Sequence, residues 1–324
     1  MFITECTAAL KFFYENGGGD CFILSIGAYD YTKDALTDTT DFINAIRLLK
    51  KEVEPTLLVI PDVVEIQDPT ADTSSTTYLQ DKYANAYSLQ NEMINHCGEM
   101  QNRVAILDIP AGYYEQDPGK TTSIEQFRNS VMPLDPKFKS YAAAYYPWLH
   151  TTVYQSTDIS DTNIHPASYN QVVELLNVEF TDDRSSLKNK LGETISAFTA
   201  EQKMTLSEAD LILNNLSKSY RQLMAAIRKK MNLLAPSAAM AGIYTTADHN
   251  EGVWVAPANV GVQSVVAPAI NIDHTAQEDL NVPVDGKSIC AIRAFPGRGN
   301  LVWGARTLDG KFKRLEIHQC ASSD

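Results

Sequence analysis

Apolar and polar residues alternate along the first half of the chain in patterns that predict strands and helices in turn. Apolar runs at residues 56–60, 103–109 and 141–146 have the length and continuity of buried strands. Between them, residues 39–51 and 76–100 carry apolar side chains at helical spacing. This alternation predicts an α/β fold with a mainly parallel or mixed sheet core flanked by helices.

The start of the chain follows the same pattern. Phe12 precedes a Gly17–Gly19 loop, and Cys21–Ile26 is typical of a buried strand. A phosphate-binding glycine loop follows a strand, opens a helix and ends in Lys-Ser/Thr. This loop precedes the predicted strand, does not open a helix and does not end in Lys-Ser/Thr, so we predict a turn from helix to strand.

The middle of the chain differs in composition. Residues 151–205 are rich in Thr, Ser, Asp and Asn and predict an inserted polar or helical region, either a variable insertion or an exposed subdomain. Capping boxes at Thr122/Glu125 and Thr205/Glu208 predict two helix starts. The second opens one long helix to about Leu234, so the predicted division is 1–150 and 206–324 for the core, with 151–205 between.

Small residues follow that helix at residues 236–244, which favours close backbone contacts. A turn at residues 250–252 comes next, and then an apolar run at 253–258. A strand is predicted at residues 288–295, before a tight turn at 296–300 and another strand from Leu301.

Charge is unevenly distributed. The net charge of -13 argues against general nucleic-acid binding. Residues 30–183 carry 24 acidic and 10 basic residues, whereas residues 285–324 carry 7 basic and 4 acidic residues. Either these are two solvated faces, or acidic and basic surfaces meet between copies of the chain. Five scattered cysteines without metal-ligand spacing predict free thiols in a reducing compartment.

Candidate chemistry is sparse. Asp62 and Asp108 end predicted strands, where α/β enzymes place their sites, but aspartate is also a common turn residue. Arg293, Arg298 and Arg306 could hold an anion, and pairing with carboxylates of a neighbouring copy is the favoured interpretation. We predict no metal-binding residue, because the histidines lack ligand spacing, and no catalytic or cofactor-binding residue and no cofactor, because no GxSxG motif, triad signature or CxxC appears. They are His96, His150, His165, His249, His274 and His318.

Several segments in one order resemble the tail sheath proteins of contractile phage tails and related contractile injection systems. The resemblance spans most of the chain, whereas residues 151–205 match poorly. The matching segments are Pro236–Tyr244, Gly252–Asn259, Arg293–Gly299, Val302–Thr307, Ala143–Trp148 and Phe12–Gly27.

This resemblance implies a structural function. Sheath subunits form hexameric rings that stack around an inner tube, with a baseplate at one end. The sheath shortens on triggering and drives the tube through a target envelope. Arms of the subunits exchange strands with neighbours, no nucleotide is consumed, and no membrane span or direct nucleic-acid contact is implied. The expected location is a phage tail or phage tail-like particle assembled in the cytoplasm.

The resemblance is incomplete at both ends. Family chains have a longer N-terminal arm and continue beyond the segment matched by residues 302–307 into a further domain. We therefore expect a truncated form, a fragment or a divergent paralogue, which on its own does not build a long sheath. The alternatives are an α/β enzyme with an acidic site at strand ends, and a non-polymerising paralogue that caps a sheath.

Overall fold

The computed structural model describes residues 5–27, 36–114, 121–179, 206–252, 255–283 and 287–310. Its chain divides into two compact units. Of the described residues, one unit comprises those within Thr152–Asn232, and the other comprises those within Thr4–Thr151 and Leu233–Asp324. The larger unit contains both sheets.

The larger unit alternates helices with strands, as its sequence pattern predicts. Its described α-helices are α1 (Glu5–Glu15), α2 (Thr40–Leu48), α3 (Tyr78–Lys82), α4 (Ala84–Met100), α5 (Ser123–Ser130), α9 (Ser237–Asn250) and α10 (His274–Asn281). Its strands are β1 (Leu57–Leu58), β2 (Val104–Asp108), β3 (Ala142–Tyr146), β4 (Leu149–Thr151), β5 (Leu233–Leu234), β6 (Val260–Gly261), β7 (Val265–Pro268), β8 (Cys290–Phe295) and β9 (Gly299–Trp303).

The main sheet is mixed, with strand order β1-β2-β3-β8-β9-β6. Strands β1, β2, β3 and β8 run parallel, and β9 is antiparallel to both β8 and β6. All five residues of β2 and of β3 are buried, as expected of parallel strands covered on both faces. A second sheet of order β5-β4-β7 is antiparallel. The predicted α/β fold with a mixed sheet is therefore confirmed.

Local signals account for several element boundaries. The Thr122 side chain accepts a hydrogen bond from the Glu125 backbone N–H, and the Glu125 carboxylate accepts one from the Thr122 N–H, which confirms the first capping box. The β8–β9 hairpin turns at Gly297 and Gly299, which have φ values of 74° and 79°. Glycine adopts these left-handed values without the penalty that a Cβ imposes.

The smaller unit is mainly helical. It contains α6 (Tyr169–Glu179), α7 (Leu206–Leu216) and α8 (Lys218–Met231). The prediction of one long helix from Thr205 to Leu234 is wrong, because Ser217 breaks it and its side chain caps α8 by accepting a hydrogen bond from the Tyr220 N–H. Serine favours such a cap over a helix interior. Thr205 of the second predicted capping box lies outside the described residues.

Candidate interaction surface

Helix α9 starts on a buried carboxylate at the end of β2. Asp108 is 1% exposed and accepts hydrogen bonds from the Ser237 backbone N–H, at 2.8 Å, and from the Ser237 hydroxyl. The carboxylate thus satisfies an otherwise unpaired donor at the helix N-terminus. Burial raises the pKa of Asp108 to about 7, against the opposing effect of the hydrogen bonds from Ser237.

This arrangement leaves no space for a substrate at Asp108. The adjoining cavity is about 10 Å³ and is lined by residues of α1 and α9, including Phe12 and Ala238. Such a volume barely admits one water molecule. Asp62, the other candidate for an acidic site, lies in a 3₁₀ turn at Pro61–Glu65 and does not line that cavity. Asp108 therefore acts as a structural anchor for α9.

The small residues that open α9 make a close contact with α1. All eight residues from Ser237 to Tyr244 are buried. A Cβ added at Gly242 would overlap the Phe13 carbonyl oxygen and lie 3.0 Å from that of Asn16. The predicted close backbone contact is thus confirmed, and only glycine fits at this position.

The turn after α1 is fastened to the same region. Thr246 on α9 donates from its hydroxyl to the Gly17 carbonyl oxygen at 3.0 Å, and the Gln263 N–H donates to the Asn16 side chain at 2.8 Å. Gly17 has a φ of 86°, so α1 ends in a turn as predicted, although residues 21–26, which follow it, form no strand. The turn ends α1 and is held in place by these two hydrogen bonds, so its function is structural.

The segment beyond this turn corrects a prediction. Residues Cys21–Ile26 form no strand, and Phe22, Ile23 and Leu24 are 69%, 63% and 46% exposed. Among the described residues, no backbone hydrogen bond is formed by residues 21–27. Only Ile26 packs against the main core, and the Cys21 thiol lies 3.4 Å from the Tyr14 hydroxyl. The expectation of a buried strand is wrong because this chain supplies no neighbouring strand among its described residues.

We call residues 21–26 the apolar segment. Its Phe, Ile and Leu side chains favour strands, and its backbone donors and acceptors have no backbone partner among the described residues. Burial of one such side chain stabilises a contact by about 1.5–3 kcal/mol. A sheet edge of another chain would therefore satisfy both its backbone and its side chains. Sequence composition identified the segment but gave no signal that it would be exposed.

The remaining candidate residues make ordinary contacts. Arg293 donates to the Gln277 side chain, and Arg298 donates to Asn259 Oδ1 at 2.7 Å. Arg306 lines an open cavity of about 490 Å³ beside Glu278 and Asp279. In the described part of the chain, no group of three His, Cys, Asp or Glu side chains could hold a metal ion. Residues 253, 254 and 311–324, including His318, lie outside the described residues.

Comparison with solved structures gives several matches over nearly the whole chain. A chain of the anti-feeding prophage (AFP) baseplate in the contracted state is 20% identical, with a TM-score of 0.52, and the match covers 95% of this chain and 56% of that one. This is the fold of contractile-system sheath proteins. The likeness predicted from sequence segments is therefore confirmed at the level of the fold.

Two further matches have lower TM-scores. A chain from the contracted sheath complex of PVC, an extracellular contractile injection system, is 20% identical with a TM-score of 0.46, covering 95% of this chain and 50% of that one. A chain from the contracted AFP helical sheath is 19% identical with a TM-score of 0.42, covering 96% and 55%. This chain thus spans about half the length of the chains it matches. No family model and no curated protein matches it.

Among the described residues, none of the helices has both the length and the apolar composition needed to cross a membrane.

Proposed function

We propose that this chain is a structural subunit of a contractile sheath. Copies pack into hexameric rings around an inner tube, next to a baseplate, and a change in their packing drives the tube through a target envelope. The particle is phage tail-like and assembles in the cytoplasm. The work comes from the difference in contact energy between two arrangements of nearly rigid subunits. The sheath-protein fold supports this function.

The observation that carries the proposal is the exposed apolar segment. Phe22 and Ile23 are more than 60% exposed in the middle of a stretch with strand-forming composition. Soluble proteins seldom leave several adjacent large apolar side chains in water unless a partner covers them. Pairing of this segment with a sheet edge of a neighbouring copy would link subunits without new chemistry. Such a link suits a lattice whose subunits must stay joined while they move.

Sedimentation velocity and negative-stain electron microscopy of the purified protein test this proposal. We expect ring-sized oligomers or short stacks, without long tubes. I23D should reduce self-association because a buried carboxylate without a partner opposes docking. L134D is the matched control, since Leu134 is 81% exposed and lies elsewhere on the same unit.

The two variants distinguish support for the proposal from its failure. Loss of oligomers in I23D, with L134D behaving like the unmodified protein, supports the proposal. A chain that stays monomeric at high concentration overturns it, and so does an I23D variant that assembles normally. Melting temperatures of both variants should match that of the unmodified protein, which shows that the monomer fold is intact.

A further inference from the structure

The helix α8 concentrates positive charge in an acidic protein. Its 14 residues include five basic side chains and no acidic one, whereas the whole chain has a net charge of -13. Tyr220 and Met224 form its buried side. Four of the basic residues are exposed, and we call them the basic face: Lys218, Arg221, Lys229 and Lys230.

The basic face has no acidic partner among the described residues. The described ion pairs are Lys50–Glu99, Arg128–Asp279 and His274–Glu278. Arg221 donates instead to the backbone carbonyl oxygens of Asn214 and Asn215, at 3.0 and 3.1 Å. Residues 180–205 carry four acidic and four basic residues, so their sequence has no excess of negative charge to offset the face.

The helix is held firmly at its other end. Glu179 accepts hydrogen bonds from the Ser217 hydroxyl at 2.5 Å and from the Lys218 and Ser219 N–H groups at 2.7 and 3.1 Å. Burial opposes ionisation of Glu179, but these hydrogen bonds outweigh it and lower its pKa. The carboxylate therefore stabilises the N-terminus of α8, where the helix dipole is positive. The four side chains of the basic face remain exposed along this anchored helix.

The larger unit carries a matching negative stretch. Residues 62–81 contain five acidic residues and no basic one, and we call them the acidic loop. The Asp68 N–H donates to the Lys82 carbonyl oxygen at 2.7 Å, which closes the loop. Hydrogen bonds from Thr70 and Ser74 lower the pKa of Asp68 and Asp72, so both exposed carboxylates stay ionised near neutral pH.

We propose that the basic face of α8 binds the acidic loop of a second copy of this chain. The four exposed basic side chains of the face would meet a loop with five acidic residues, and each copy carries both surfaces. Such a contact is head-to-tail, and repeated contacts of this kind close into rings or extend into helical stacks. Between the basic ends of the face lie Ala225 and Ala226, whose small exposed side chains permit close approach. The net charge of -13 opposes a nucleic acid as the partner.

This inference deepens the proposed function and rests on it for the identity of the partner. A contact between charged surfaces steers association and weakens in salt. Raising the salt from about 0.1 M to about 1 M shortens the screening length from about 10 Å to about 3 Å. Self-association measured by sedimentation velocity should therefore decline across this range. An association that is insensitive to salt would overturn the proposal.

Charge reversal tests the two surfaces separately. We expect K229E/K230E to weaken self-association at least about tenfold, equivalent to about 1.4 kcal/mol. K51E/K137E makes the same change in net charge at exposed lysines of the other unit and should have little effect. Because glutamates oppose the dipole at a helix C-terminus, K229Q/K230Q serves as a second variant that removes charge without reversing it. Normal association of both α8 variants would overturn the proposal.

A mixing experiment identifies the partner surface. E65K/D81K reverses two of the five charges of the acidic loop, at positions outside the Asp68 and Asp72 turns, and alone it should associate as poorly as K229E/K230E. An equimolar mixture of the two variants should recover association, because the unaltered face of one variant then meets the unaltered loop of the other, and the substituted positions carry opposite charges. No recovery in the mixture would overturn the assignment of the acidic loop.

A polyanion is the competing partner, and heparin is its probe. If unmodified protein binds heparin, K229E/K230E does not, and both self-associate equally, the face belongs to a polyanion and the proposal is overturned. Comparison with I23D separates this inference from the proposed function. If I23D abolishes association and K229E/K230E leaves it intact, the sheath proposal is supported and the assignment of the basic face is overturned.

Discussion

Two stretches of similar apolar character end in opposite environments. Residues 237–244 open α9 and are buried without exception, whereas the three large side chains at residues 22–24 are all exposed. The first stretch meets α1, β2 and the Asp108 carboxylate within its own unit. The second finds no backbone partner among the described residues. Apolar composition thus indicates that a segment tends to be buried, and the rest of the fold determines whether the same chain buries it.

The largest expected effect distinguishes two phenylalanines on either side of the Gly17 turn. Phe12 is fully buried on α1, beside the end of β2. F12A should lower the free energy of unfolding by about 3–5 kcal/mol, because it removes a large side chain and leaves a cavity. Urea denaturation measures this loss. A loss below about 1 kcal/mol would show that α1 packs loosely and would weaken the contrast with the apolar segment.

The Asp108 anchor should give the next largest effect through pH. Its pKa is raised from 3.8 to about 7 on folding, so the folded state holds a proton that the unfolded chain releases. The stability that protonated Asp108 contributes is therefore present below about pH 4 and lost as the pH rises to about 7. Relative to the unmodified protein, D108N should gain about 2–4 kcal/mol between pH 4 and pH 8.

Urea denaturation across this pH range checks the prediction for Asp108. Asparagine keeps an acceptor for the Ser237 N–H and a donor for its hydroxyl, so the anchor survives without the charge. D41N is the control, because Asp41 is exposed on α2. A stability difference between D108N and the unmodified protein that does not change with pH would rule out the linkage.

Substitution of Gly242 should cause a smaller change in the free energy of unfolding, and the sign of that change tests the close contact with α1. Alanine is favoured over glycine in a helix by about 1 kcal/mol, so an uncrowded site would gain stability. The added Cβ at Gly242 meets backbone oxygens of α1 that cannot rotate away. We expect G242A to destabilise by about 1–3 kcal/mol through overpacking. G261A is the control, because a Cβ there meets only a side-chain atom at 3.6 Å. Stabilisation by G242A would disprove the close contact.

Much of the larger unit is predictable because its signals are local. Strands β2 and β3 are continuous apolar runs, and a reciprocal capping box marks the start of α5. The small residues at the start of α9 likewise predict a close contact. Their partner, the turn after α1, lies more than 200 residues away in sequence, and only the fold reveals it.

The failures have physical causes as well. The apolar stripe from Thr205 to Leu234 continues across Ser217, so periodicity alone predicts one helix. The break depends on capping by Ser217 and on Glu179, a residue 38 positions earlier. The sequence alone does not identify the basic face as an interaction surface, because the helix dipole already explains basic residues near a C-terminus. Its significance depends on which lysines are exposed and on the absence of acidic partners among the described residues.

The smallest expected effect completes the contrast. F22A removes a large aromatic side chain, yet Phe22 is 69% exposed and its loss leaves no cavity. The free energy of unfolding should change by less than about 0.5 kcal/mol, which is usual for surface substitutions. Urea denaturation of F12A and F22A compares the same chemical change on the two sides of the Gly17 turn. A loss of several kcal/mol in F22A would mean that this phenylalanine is packed within the monomer. The apolar segment could then not be a free surface for a neighbouring copy.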